Sequence, residues 1–165
     1  MNGKWVGAVI VVSALAMGAF VWWSQEYAYY HQAEFSPGQE IRLTAIETGQ
    51  PEAIIVDDLQ GVDADSSPLR FRACFTTPLS LAMLTETYRI YDHPEPNVGP
   101  RWFDCFDAEA IGQALEQGRA VAFLAEADVS PGIDRVVAVF PDGRAYAWHQ
   151  LNPQMAQGAA SAVDQ

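Results

Sequence analysis

The sequence predicts an α+β domain with a mostly antiparallel sheet and one or two short helices, carried behind an N-terminal transmembrane helix. Three observations lead there. The run from Trp5 to Trp23 is 19 residues long and uncharged. Beyond it, short stretches with strand character outnumber the helical ones. The turns that separate them, TGQP and PDGR among them, are short enough for hairpins.

The N-terminal segment is MNGK followed by WVGAVIVVSALAMGAFVWW. At ~1.5 Å per residue this run spans about 28 Å as a helix, close to the hydrocarbon thickness of a bilayer. Trp5 stands at one end and Trp22, Trp23, Tyr27, Tyr29 and Tyr30 at the other, as in the aromatic belts of membrane interfaces. Residues 1–24 are therefore read as an anchor in a lipid bilayer. Lys4 precedes the run, while Glu26 and Glu34 follow it. The positive-inside rule then leaves the N-terminus in the cytoplasm and the domain in the periplasm, at a bacterial inner membrane. A cleaved signal peptide is the competing reading, because Ala14-Leu15-Ala16 and Met17-Gly18-Ala19 resemble small-residue cleavage sites. Apolar residues continue past both to Trp23, which favours an uncleaved anchor. Gly7, Ala14 and Gly18 share one helix face, and small residues there let a partner helix approach closely. Gly and Ala are also common in any spanning helix.

Residues 25–39 read as an interfacial collar or linker that continues the helix briefly and breaks at Ser36-Pro37-Gly38. Residues 40–151 form the periplasmic domain. EIRLTAI, from Glu40 to Ile46, alternates as a strand, and Ala53 to Val56 follow as a second. GVDADSSP, from Gly61 to Pro68, reads as a polar loop. LRFRACF alternates strictly, with Leu69, Phe71, Ala73 and Phe75 on one face and Arg70, Arg72 and Cys74 on the other. Thr77 and Pro78 look like the N-cap and first position of a short helix, and TETYRIY is ambiguous between helix end and strand. DHPEPNVGPR, residues 92–101, reads as a proline-rich surface loop. Asp107 is the N-cap expected for Ala108–Gln117, with Gly118 just past its end. A strand over Arg119–Ala125 and a hairpin over residues 133–151, turning at PDGR, complete the domain. Residues 152–165 are small and polar and read as a disordered tail.

The chain carries 9 basic and 21 acidic side chains, net −12, and half of it is apolar. Lys4 is the one lysine; everything beyond it has eight arginines against 21 acids. Such a surface repels phosphate backbones, so nucleic acid is excluded as a partner.

Cys74 and Cys105 are the two cysteines. In an oxidising compartment an even pair usually bonds. Phe75, Phe103 and Phe106 beside them suggest partial burial. Cys105 lies near a helix start, which favours a thiolate, but Asp104 and Asp107 oppose one. No CxxC or His cluster supports metal binding. A structural disulfide is the reading preferred over reactive thiols or ligands. Asp63-x-Asp65-x-Ser67 resembles the start of a calcium loop, yet Pro68 replaces its glycine and Cys74 its closing glutamate. His31, His93 and His149 fall into no ligand pattern, and His149 reads as a sheet residue with a satisfied hydrogen bond. P-loop, G-x-S-x-G, H-E-x-x-H, dinucleotide and haem-attachment motifs are absent from the sequence. No cofactor, metal or catalytic residue is assigned.

DADSSPLRFRACFTTP, WFDCFDAEAIGQALE and IDRVVAVFPDGRAYAWHQLN, together with the apolar N-terminal span, resemble a family of short, single-span alphaproteobacterial proteins of unassigned activity. The resemblance covers roughly residues 1–152 and implies an address and a layout. Some relatives carry a histidine-kinase label; this chain is too short for a kinase core and lacks glycine-rich ATP-binding segments. The expected role is non-catalytic: an accessory, assembly or interaction subunit of a larger inner-membrane complex. A periplasmic ligand-sensing domain and a small thiol-based enzyme are the alternatives.

Overall fold

Nothing between Trp5 and Trp23 interrupts a helix, and Gly3–Trp23 forms one, α1. Ser24–Ala28 continues it as one widened π-helical turn. The residues of α1 are exposed throughout, and Gly3–Ala28 is long and apolar enough to cross a membrane. The structure is a computed structural model that describes residues 2–156. The chain divides into two units between Tyr30 and His31.

The second unit is α+β. Its strands are β1 (His31–Gln32), β2 (Arg42–Thr44), β3 (Pro51–Ala53), β4 (Asp57–Asp63), β5 (Arg72–Thr76), β6 (Val121–Ser130), β7 (Ile133–Val139) and β8 (Arg144–Leu151). Its helices are α2 (Leu81–Thr87) and α3 (Ala108–Glu116), with a 3₁₀ turn at Pro68–Arg70. A six-stranded sheet runs β1-β4-β5-β8-β7-β6, every pair antiparallel, and β2 and β3 form a second, two-stranded sheet. The ambiguous TETYRIY segment is both things expected of it. It is helical through Thr87, then extended, pairing Tyr88 with Ala45 of the small sheet's strand end and Ile90 with Phe123 of β6.

The hairpin of β7 and β8 is where the sequence places it. Gly143 ends its turn at φ 86°. A Cβ there would sit 2.7 Å from the carbonyl oxygen of Thr77, so glycine serves both the backbone angle and the close approach. Thr77 in turn donates its N–H to Gly143 and so extends the sheet, which prevents it from capping α2. Ser80 is the cap instead, its hydroxyl accepting from Met83 N at 3.3 Å. Asp107 caps α3 as expected, through Ala110 N at 3.0 Å, and Gly118 takes φ 66° just beyond it.

Three expectations are corrected. Gly61–Asp63 belongs to β4 and is not loop; a Cβ on Gly61 would lie 2.6 Å from Phe35 Cζ, so the glycine makes room for an aromatic ring against the strand. Inside the stretch read as collar, His31 and Gln32 pair with Asp63 and Val62. At the other end, Asn152 opens a helical turn at residues 153–156, its Oδ1 accepting from Met155 N at 3.0 Å; the rest of the expected tail lies outside the described residues.

The main sheet is covered on both faces. Phe71, Ala73 and Phe75 meet Ala145, Ala147, Val137, Val139 and Phe123 on the inner face, where Ile41, Leu43 and Leu84 close the core. The outer face carries Arg72, Cys74, Trp148, Val136 and Ala138, all buried. Phe103, Phe106, Ile111 and Ala114, from α3 and the segment before it, are buried as well, with Phe106 edge-on to Trp148 and Tyr146. The alternation read in LRFRACF holds from Phe71 to Phe75, whereas Leu69 and Arg70 belong to the 3₁₀ turn and are partly exposed; on the polar face Arg72 and Cys74 are buried. Arg72 is 3% exposed. Its guanidinium donates from Nε to Asn97 O at 2.7 Å, from Nη2 to Val98 O at 3.2 Å, and from Nη1 to Leu69 O at 2.8 Å and Phe71 O at 2.5 Å. These bonds dock the proline-rich loop onto the sheet.

Arg72→Met and Arg72→Lys are each expected to destabilise the domain by about 3 kcal/mol in urea unfolding followed by tryptophan fluorescence. Either change leaves buried carbonyls unsatisfied, and an ammonium cannot reproduce the planar fork. A lysine variant of wild-type stability would show that the fork is dispensable.

Candidate functional site

Cys74 and Cys105, 31 positions apart in the sequence, are joined, with their Cα atoms 6.2 Å apart. The bond ties β5 to the segment that leads into α3. Cys74 is buried, whereas Cys105 is exposed, against the sequence expectation for that half of the pair. The reason is local: the turn before α3 sends Phe103 and Phe106 inward and leaves Trp102, Asp104 and Cys105 on the outside. No free cysteine remains.

A chain of charge crosses the sequence-distant end of the inner face. Arg42 Nη2 meets Glu126 Oε2 at 2.6 Å, and Glu126 Oε1 meets Arg135 Nη1 at 3.1 Å. Arg135 Nε donates to His149 Nε2 at 3.0 Å, and His149 Nδ1 lies 2.6 Å from Pro68 O. A carbonyl can only accept, so Nδ1 carries the proton and Nε2 is the acceptor. The ring also stacks on Phe71 at 4.6 Å, and the Arg135 guanidinium lies 4.5 Å from the same ring. Burial, then the charges of Arg135 and Arg72, push His149 down to about 4. Burial likewise lowers Arg135, opposed by Glu126. The cluster borders a cavity of about 180 Å³ that Phe35, Glu40 and Asp63 also line. Arg42 Nε is buried without a protein partner, and a water has room and polar neighbours there. With both ring nitrogens engaged, His149 is a structural residue, as its position on a strand suggested.

A larger cleft, about 650 Å³, opens between residues 90–96, α3 and the start of β6. Ile90, Pro94, Leu115 and Val121 give it apolar walls, and Asp92, Glu95 and Glu116 bring carboxylates. Its rim is fixed from beneath. The buried Gln150 donates to His93 O at 2.9 Å and accepts from Glu95 N at 2.8 Å and Trp148 Nε1 at 2.9 Å. Tyr91 hydroxyl donates to Asp134 at 3.1 Å; burial, then that carboxylate's charge, push the phenol up. Sequence reasoning found Asp92 and Glu95 only as part of a surface loop. Glu116 sits 21 positions past Glu95, and no spacing rule connects the two.

Gly7, Ala14 and Gly18 lie on α1, within about 40° of one another at 100° per residue. They are exposed, and a Cβ built on Gly7 or Gly18 meets nothing within 4 Å. Asp65 points to His31 Nε2 at 3.2 Å, and Asp63 accepts from Ala64 N. Among the described residues no three His, Cys, Asp or Glu side chains are grouped to hold a metal ion.

A family model described as a family of unknown function, DUF6446, matches residues 41–160. The chain belongs to this family. The matched segment starts at the edge of β2, lies within the second unit and leaves α1 and β1 out. Comparison with curated proteins and with solved structures returns no match.

The charge chain makes stability depend on pH. His149 titrates near 6.5 when unfolded and near 4 when folded. Its contribution is full above pH 6.5 and is lost as pH falls toward 4, by about 3 kcal/mol in all. Urea midpoints measured across that window should fall, and His149→Gln should flatten the fall; an unchanged slope would refute the assignment. Separately, Cys74→Ser and Cys105→Ser are each expected to destabilise by about 3–4 kcal/mol, since either opens the same loop. Alkylation of both thiols in native protein, read by mass spectrometry, would disprove the bond.

Proposed function

We propose that the chain is a membrane-anchored, non-catalytic interaction protein: an accessory or assembly subunit that presents its acidic domain on the periplasmic side of a bacterial inner membrane, beside a larger membrane complex. The observation that carries this reading is the apolar helix Gly3–Ala28, exposed at every residue from Gly3 to Trp23. Such a surface is costly in water and stable in lipid. Lys4 on one side of it, with Glu26 and Glu34 on the other, supports the orientation. The disulfide supports an oxidising compartment. The groups most suited to catalysis are already used: both cysteines form the staple, and His149 is held at both nitrogens. An anchor restricts the domain to the membrane surface, which raises its local concentration near a membrane partner.

A ligand-sensing role is the second reading. The cleft beside α3 favours it, because 650 Å³ falls within the range of roughly 300–1,000 Å³ typical of small-molecule sites.

A C-terminal alkaline phosphatase fusion should be active, and the matching green fluorescent fusion exported through the Sec route should be dark. The opposite pattern would end the periplasmic reading. In mild detergent, Gly18→Leu should still insert, because its apolar content rises, but should co-purify with less of any partner than Val11→Leu does. Equal recovery would reduce the helix to a tether.

A further inference from the structure

The cleft between residues 90–96 and α3 has properties that its role as a packing boundary does not need. Asp92, Glu95 and Glu116 are exposed and line one cavity with Ile90 and Leu115. Among the described residues, none of the three carboxylates has a hydrogen bond or an ion pair. Three other acids have cationic partners, Glu126 with two arginines, Asp142 with Arg144 and Asp65 with His31, whereas these three unpaired carboxylates stand together in one cavity. Ile90 is 53% exposed on a segment otherwise held between Ala45 and Phe123. The walls are also set in advance. Gln150, buried under the rim, fixes the backbone at His93 and Glu95, so an occupant would not have to order that part of the loop.

Long cationic side chains match this combination. Their methylene stems lie along apolar walls while the charged heads reach the carboxylates beyond. The domain has no lysine, and it carries an excess of acids over its eight arginines, so a second copy offers little that fits. We infer that this cleft is a docking groove for a basic, partly apolar peptide segment of a protein partner, bound by its lysine or arginine side chains. The inference rests on the interaction reading above and gives that reading a surface and a partner chemistry.

The test uses the full chain in an uncharged detergent and a fluorescein-labelled peptide of alternating arginine and leucine, read by anisotropy. Saturable binding is expected, with at least tenfold weaker affinity for the triple variant Asp92→Asn/Glu95→Gln/Glu116→Gln. The matched variant Asp57→Asn/Asp58→Asn/Asp65→Asn removes as much charge from another exposed region and should stay within about twofold of wild type. Ile90→Ser, which leaves every charge in place, should weaken binding several-fold. An alternating glutamate and leucine peptide should not bind. Equal weakening by the two triple variants would mean diffuse attraction to an acidic protein and would overturn the proposal. So would tight binding of the glutamate peptide, displacement by spermidine as effective as by unlabelled peptide, or the lack of saturable binding. Because no membrane complex enters this assay, its failure leaves the anchored-subunit reading to be judged by co-purification.

Discussion

A buried guanidinium sets the terms for the outer half of the domain. Arg72 lies on one of the two central strands of the sheet with almost no exposure. Removing such a charge from water is costly unless every donor finds an acceptor. The acceptors are main-chain carbonyls from two places: the turn just before β5, and Asn97 and Val98 of the proline-rich loop. The loop therefore cannot wander while the arginine stays buried. Nor can the arginine stay buried without the loop. The disulfide two residues along fastens the same layer at a second point. Phe106, next to Cys105 in the sequence, has its ring 5.6 Å from the Arg72 guanidinium and edge-on to Trp148. Polar satisfaction, covalent closure and aromatic packing act on one short stretch of chain.

That arrangement explains what could be read from the sequence and what could not. Features set by neighbouring residues were readable. Asp107 and Gly118 mark both ends of α3, and PDGR turns the last hairpin. The apolar face of β5 follows from simple alternation. Features set by distant residues were not. Thr77 has all the local signs of a helix cap, but a long-range bond to Gly143 recruits it to the sheet. Gly61 reads as a loop glycine until Phe35 is seen to occupy the space of its missing side chain. Arg72 looks like an outward-facing residue of a half-exposed strand, because nothing near it in sequence announces the second layer. The charge chain draws on Arg42, Glu126, Arg135 and His149, residues no motif would connect. The staple was readable as a pair, yet the exposure of one of its ends was not, since that depends on how the turn before α3 points its two phenylalanines inward.

The family match begins where the domain's strands β2 and β3 begin and does not include α1. The two parts of the chain obey different solvents. The first exposes its apolar side chains along the whole of α1, which is long and apolar enough to cross a membrane. The second hides its apolar residues within two layers and shows water an acidic exterior. Each part is legible by its own physics.

The disulfide is lopsided, with Cys74 inside and Cys105 outside. Exchange needs a thiolate to reach a sulfur in line, and of the two residues only Cys105 lies at the surface. A reducing compartment would therefore attack the bond at Cys105. The segment before α3 would then be held by polar contacts and packing alone, and its release would bare Phe103, Phe106 and Trp148. The aromatic packing of this layer thus leans on a bond that has one end at the domain's surface.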